Sequence, residues 1–322
     1  MRVFIVFATA LLAVSALPAY EQWTTFKAKH GKSYENIGEE KVRFQIFQQN
    51  IQKINAHNAL YEAGIKTYRM GVNQFADLTQ KEFGALLRVR NGPSPKQNLT
   101  RHVQSGTAPD SIDWREKNAV TRIQNQGVCG SCWAFSVVGA VEGQNAIKYN
   151  NSAALSVEQL VDCDPGGYGC SGSIMSHRFQ YVIDNGLNTD EEYPYVGSFF
   201  NVTCKAKSPY VVKVKEAVVV DATESALKDA VGTVGPVSVI ILAEPMQHYK
   251  DGIFESDECI VQSGDHDHGI LVVGYGTENG KKFWILKNSW GTSWGEDGYF
   301  RLARDANNQC GVAYHGSYPI LV

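Results

Sequence analysis

A cysteine at the head of an apolar helix is the residue best placed to do chemistry in this chain. The run Gln126-Gly127-Val128-Cys129-Gly130-Ser131-Cys132-Trp133 leads into Cys132 to Tyr149, where apolar residues recur at helical spacing. Aligned backbone N–H groups and the positive dipole end favour a thiolate at the first turn of such a helix, so Cys132 is the candidate nucleophile. A nucleophilic thiol needs a base, and the base needs a group that orients it. His268 lies 136 residues after Cys132, in Asp267-His268-Gly269-Ile270-Leu271-Val272-Val273-Gly274. Asn288 lies 156 residues after it, in Lys287-Asn288-Ser289-Trp290-Gly291. Cysteine, histidine and amide suffice for this chemistry, and no cofactor is expected. Two other uses of Cys-x-x-Cys compete, a redox pair and half of a zinc site. Zinc would need a second Cys-x-x-Cys or a nearby His pair, and neither is present. With seven cysteines, a redox pair leaves five others, whereas setting Cys132 aside leaves an even six. His266 and His268 form a His-x-His, but no third metal ligand accompanies them.

Elements from both halves of the body must bring these groups together. Residues 108–322 hold all seven cysteines. Their first half reads as helices: Cys132 to Tyr149, a segment opened by the capping box Ser156-Val157-Glu158-Gln159, and Ser173 to Asn185. Their second half reads as strands over Tyr210 to Val220, Val237 to Ala243, Gly269 to Gly276, Phe283 to Lys287 and Tyr299 to Leu302. Helices followed by strands predict an α+β fold with a cleft between the halves.

Residues 17–107 contain no cysteine and read as helical. Glu39, Arg43, Phe47, Asn50, Ile54 and Asn58 fall on one stripe of a continuous helix, and their mixed polarity sets it apart from an ordinary apolar face. Gly71-Val72-Asn73-Gln74-Phe75-Ala76-Asp77 suits a short strand or kink, and Arg90-Asn91-Gly92-Pro93-Ser94-Pro95-Lys96 an extended linker. This segment has 13 Lys+Arg against 7 Asp+Glu, a net +6, while residues 108–322 have 16 against 26, a net -10. Opposite fields suit a docked, removable partner.

At the start of the chain, Arg2, the apolar run Val3 to Val14 and the small pair Ser15-Ala16 read as a cleaved signal peptide over residues 1–16. The run is shorter than the ~17–25 apolar residues of a membrane span, so no membrane association is expected. Export gives meaning to sequons at Asn98, Asn150 and Asn201. It predicts a lysosomal or secreted protein, a digestive lumen included. A hydrophobic fraction of 43%, 20% charged residues and a net charge of -3 predict a globular monomer with no nucleic-acid stripe.

Cys-Gly-Ser-Cys-Trp, the downstream His and Asn, the Glu39 to Asn58 stripe, and Gly71, Asn73, Phe75 and Asp77 together resemble the papain family of cysteine peptidases, specifically its cathepsin L-like proenzymes. The resemblance implies a two-lobed fold, with a helical left lobe and an antiparallel β-barrel-like right lobe. It also implies an inhibitory prosegment over 17–107 and a peptidase domain over 108–322. Cys132 would attack a peptide carbonyl, His268 protonate the leaving amine, Asn288 orient the imidazole, and Gln126 help form the oxyanion hole. Trp290 would cover the Asn–His pair. Disulfides would join Cys129 to Cys170, Cys163 to Cys204 and Cys259 to Cys310. Protein and peptide substrates would meet Gly130, Gly172, Ser173 and Asp267. The pocket for the second acyl-side residue would be lined by Ile174, Met175, Ile240, His266, Gly269 and His315. Ser173 stands where relatives carry a glycine, which puts a side chain where backbone meets substrate. His315 at the pocket bottom and His266 at its side would make the pocket shorter and more polar, and so weaken any preference for Phe. Cleavage is expected near Thr107-Ala108, favoured by acid. A catalytically silent binding protein and a thiol oxidoreductase are the alternatives; the intact set Gln126, Cys132, His268 and Asn288 speaks against the first, and thiol counting would decide the second.

Overall fold

The polar stripe of the N-terminal segment is a rack of hydrogen-bonding groups for a neighbouring stretch of chain. In the computed structural model, residues 19–87, 99–198, 203–261 and 266–322 are described. The expected signal peptide, the Arg90 to Lys96 linker, Asn98 and Asn201 lie outside these residues. Helix α1 (Ala19–His30) packs on α2 (Ile37–Glu62) through Trp23, Phe26 and Phe47. Asn36 caps α2 by accepting from Glu39 N. From the stripe, Asn50 Nδ2 donates to Ala76 O and Leu78 O, each at 2.9 Å. Asn58 both donates to and accepts from the Met70 backbone. Those bonds hold strand β1 (Tyr68–Met70) and the turn after it. Arg43 reaches Glu82 at 2.9 Å on α3 (Gln80–Leu86), and Asp77 takes Lys32 and the Tyr34 hydroxyl. Of the strand or kink expected at Gly71 to Asp77, the turn forms there and the strand lies just before it.

The chain then adds β2 (Thr100–Arg101) and β3 (Ile112–Asp113), and enters α4 (Cys132–Tyr149). This helix is buried nearly all round because small residues line it: Ser136 Oγ donates to Ile270 O, and Gly139 lies against Leu271. Asn150, left-handed at φ 52° and exposed, ends it. α5 (Val157–Cys163) and α6 (Phe179–Asn185) complete the helical half. The Ser156 cap forms, but the Gln159 side chain turns to Gly186 O and Asn188 N rather than back to the cap. The helix expected over Ser173 to Asn185 is broken: Ile174 is extended, and one 3₁₀ turn at Met175–His177 precedes α6.

After β4 (Val214–Val219) and α7 (Glu224–Thr233) come β5 (Val237–Ile241), β6 (Tyr249–Phe254), β7 (His268–Glu278), β8 (Lys281–Lys287), β9 (Tyr299–Ala303) and β10 (Ser317–Leu321). The sheet runs β1-β6-β9-β8-β7-β5-β10-β4-β2, with β3 on β7. The α+β class and the division between helical and sheet halves hold. The barrel does not close, since β1 and β2 end an open path, and β6–β9 and β2–β4 pair in parallel. Both terminal strands belong to the N-terminal segment, so that segment completes the sheet it docks on.

Candidate active site

Helix α4 presents Cys132 at its first position, fully buried and in none of the three disulfides. Ser131, at the N-cap, makes no capping bond; its hydroxyl is engaged with the Tyr195 hydroxyl at 2.6 Å. The uncapped first turn can therefore serve the thiol. Burial pushes Cys132 up to about 11, and hydrogen bonds from the Gly269 and Trp133 N–H groups oppose that rise. Gly269 allows a close contact: a Cβ there would lie 3.1 Å from Cys132 O, Trp133 N and Met175 Sδ, tight enough that these neighbours would have to give way. This approach seats the first residues of β7, His268 included, against the head of α4.

His268 is fully buried, and its Nε2 is 2.9 Å from Asn288 Oδ1. Because an amide oxygen only accepts, Nε2 carries the proton and Nδ1 is left without a hydrogen-bond partner among the described residues. Burial lowers His268 to about 4, partly countered by the Asn288 bond. Asn288 Oδ1 also accepts from Ser289 N at 2.8 Å, which fixes the amide with its oxygen toward the ring. The Trp290 ring lies 4.6 Å from the imidazole. Gln126 is tied to the same loop: its N donates to Ser289 O, its Oε1 accepts from Ser289 Oγ, and its Nε2 donates to Cys129 O at 2.9 Å. One Nε2 hydrogen remains. Cys132, His268, Asn288, Gln126 and Trp290 are thus gathered in one buried cluster.

The disulfides are Cys129–Cys170, Cys163–Cys204 and Cys259–Cys310, the pairing that the resemblance implies. Gly130 N donates to Cys170 O, and Gly172 has φ 89°. Ile174, Met175, Ile240 and His315 line one cavity of about 230 Å³, with Arg101 and Asp221 also on its wall. His315 is exposed there and does not form a buried floor; His266 packs edge-on against it at 5.1 Å. Ser173 is buried, and its hydroxyl donates to Gly166 O at 3.3 Å. Asp267 spends its carboxylate on the Ala243 and Glu244 N–H groups, and burial pushes it up to about 7. No group of three or more potential metal ligands occurs among the described residues.

The N-terminal segment covers this cluster. Phe75 and Phe83 meet Trp290 edge-on at 5.6 and 5.3 Å, and Gln74 donates to Trp290 O. Residues 108–320 match the family described as papain family cysteine protease, and residues 23–83 match the cathepsin propeptide inhibitor domain. The chain belongs to the papain family of cysteine proteases. It is 44% identical to a cathepsin L-like proteinase of Phaedon cochleariae, each chain covered in full, and 41% identical to digestive cysteine proteinase 1 of Homarus americanus, with 99% of each covered. Among solved structures, a digestive procathepsin L 3 of Tenebrio molitor larval midgut matches with a TM-score of 0.88 and 40% identity, over 95% of this chain and 100% of that one. This is a cathepsin L-like cysteine protease in proenzyme form, its propeptide docked as an inhibitor domain.

A second anchor of the N-terminal segment lies outside the residues that the sequence singles out. Asp229 on α7 accepts from Ser105 N (3.0 Å), Gly106 N (2.8 Å), Ser105 Oγ and His102 Nε2 (3.0 Å). Nothing near Asp229 in sequence marks it, because its donors come from more than 120 residues upstream.

Proposed function

We propose that the protease is an endopeptidase acting through Cys132 and His268. The observation that carries this is a buried α4-head thiol outside any disulfide, touched by the Gly269 N–H, next in sequence to an imidazole whose Nε2–H is held by Asn288. In the proenzyme, burial favours the neutral thiol and neutral ring. Opening the site admits water and lets the pair ionise together, with the proton moving from Cys132 Sγ to His268 Nδ1. The thiolate adds to the peptide carbonyl, and the oxyanion takes hydrogen bonds from the Cys132 N–H and the remaining Gln126 Nε2–H. His268 then gives its proton to the amine as the C–N bond breaks, leaving a thioester. A water, deprotonated by His268, attacks the thioester and releases the carboxylate and the thiol.

The 230 Å³ cavity is proposed as the pocket for the second acyl-side residue. Its apolar wall of Ile174, Met175 and Ile240, with the His266–His315 pair beside it, supports compact residues such as Val or Pro over Phe. Prosegment release is proposed to be favoured by acid and to end with cleavage near Thr107-Ala108. The protein would travel the secretory pathway to a lysosome or an extracellular lumen; among the described residues no helix is long and apolar enough to cross a membrane. Asn150, exposed at the end of α4, is the described sequon proposed to carry a glycan. Replacement Cys132→Ser tests the chemistry: turnover of a peptide substrate should fall by at least about 10³-fold with unchanged unfolding temperature. Comparable activity in the Ser variant would sink this mechanism.

A further inference from the structure

We propose that His248 is the acid sensor of prosegment docking, an inference that rests on the reading that acid favours release. His248 sits just before β6, where the body meets the prosegment. Its backbone O accepts from Gly71 N at 2.8 Å. Its neighbour Gln247 gives its O to Asn73 Nδ2 at 2.7 Å and sends Nε2 to Phe75 O and Leu78 O. On the other side, Tyr249 packs into the sheet core against Tyr68, Phe254 and Trp294. The His248 residue is only 1% exposed, and neither ring nitrogen has a hydrogen-bond partner among the described residues. An imidazole placed so is tolerated only while neutral.

The charges around it make protonation worse. Lys53 on α2 acts on the ring with the same sign that an imidazolium would carry. The stem of Lys250 lies on Gly71, and Arg69 and Asp251 satisfy each other across β1–β6 at 2.7 and 2.9 Å. His57, also on α2, is engaged with Tyr68 O. Among the described residues no carboxylate bonds to His248.

Burial, and then Lys53, lower His248 from its ordinary 6.5 to about 4 while the prosegment is docked. Undocking opens the Gly71 contact and lets the ring regain its ordinary behaviour. The docked state therefore binds fewer protons. Its contribution is fully present above about pH 6.5 and is lost as pH falls toward about 4. Between pH 7 and pH 5 the docking equilibrium should fall about 20-fold. Carboxylates in their ordinary range give no such effect in that window, and Asp267, pushed up to about 7 by burial, takes up its proton in the docked state and so acts in the opposite sense. The Ser105 and Gly106 N–H groups outweigh burial at Asp229 and hold it below the usual carboxylate range.

The test uses the full chain carrying Cys132→Ser, so that it stays intact. Hydrogen exchange at the Gly71 amide is measured at pH 7 and pH 5 and corrected for the intrinsic rate. Protection should fall about 20-fold in the parent and less than about 3-fold in His248→Leu and His248→Phe. A loss in both variants equal to the parent's would overturn the role of His248 while leaving acid release intact. A parent whose protection does not change would overturn acid release itself, and this proposal with it. Should neither variant fold, the parent's His248 ring is titrated by NMR: a midpoint near 4 upholds the proposal and one at 6 or above rejects it.

Discussion

Cys132, His268 and Asn288 were legible because their types and order are scarce in any sequence, whereas the direction of a side chain was not. Ser173 shows the difference: its identity suggested a group projecting toward substrate, yet its hydroxyl is drawn inward by Gly166 O. At this scale two outcomes are expected. Gln126→Ala should lower kcat about 10²–10³-fold with little change in KM, because an oxyanion donor acts in the transition state; a KM effect alone would assign Gln126 to substrate binding. His315→Ala, measured on paired substrates differing only in the second acyl-side residue, should raise the Phe-to-Pro ratio of kcat/KM. Exposure of the ring limits that rise to less than the ~1.5–3 kcal/mol of full burial of a large side chain. An unchanged ratio would mean that the imidazole does not border the pocket.

Elements read correctly are those whose pattern is local. α4 runs over its expected residues because its apolar spacing and its left-handed Asn150 end lie within the segment itself. β6 escaped notice because Tyr-Lys-Asp-Gly-Ile-Phe is half polar, and its partners, β1 and β9, lie far away in sequence. Helix α7 (Glu224–Thr233) also escaped notice, its Thr223 cap being ordinary and its apolar face short. Contact between β7 and α4 is the element-scale feature that the proposed chemistry depends on. Gly269→Ala would place a methyl 3.1 Å from the Cys132 and Trp133 backbone, so kcat should drop while global stability changes modestly; wild-type kinetics in this variant would show that the two elements can part without cost. Glu142 on α4 is a second such joint. Its carboxylate accepts from Thr121 Oγ1 at 2.6 Å and Leu155 N at 2.8 Å, with Lys287 Nζ 4.0 Å away. Burial raises Glu142 and lowers Lys287, and each is the charge that opposes the other's shift, with Thr121 Oγ1 accepting from Lys287 Nζ at 2.9 Å between them. Glu142→Ala should cost about 3–5 kcal/mol in denaturant unfolding, by leaving that ammonium uncompensated.

Over the whole molecule, the opposite net charges of the two parts suggested an electrostatic dock, and the contacts give a different weighting. Arg69–Asp251 and Arg101–Asp221 do cross the boundary, but both pairs are substantially exposed, and such pairs contribute about 0–1 kcal/mol. Phe83, fully buried, joins Ile54, Tyr68 and Met70 in one apolar core with Met246, Phe254 and Trp290 of the body. Phe83→Ala should therefore weaken docking by about 3–5 kcal/mol and leave the uncut proenzyme measurably active, whereas Arg69→Ala should leave it latent. Latency at neutral pH should also be nearly indifferent to salt; a strong salt dependence would restore the electrostatic account.

The Asp229 clasp gives the N-terminal segment a second hold on the body, and its carboxylate, held below its ordinary range, should keep its charge at a pH where His248 takes a proton. When the β1–β6 end opens, the helical head therefore stays leashed to the surface it left. Its effective concentration there is that of a short-tethered ligand, on the order of millimolar, and dilution cannot lower it. If acid opens the dock as proposed, the opened state forgets itself: return to neutral pH before any cut should restore full inhibition at any protein concentration. Under that proposal only scission of the leash turns a transient opening into a permanent one, and the peptide bond broken in maturation would act as the protein's memory of having once been in acid.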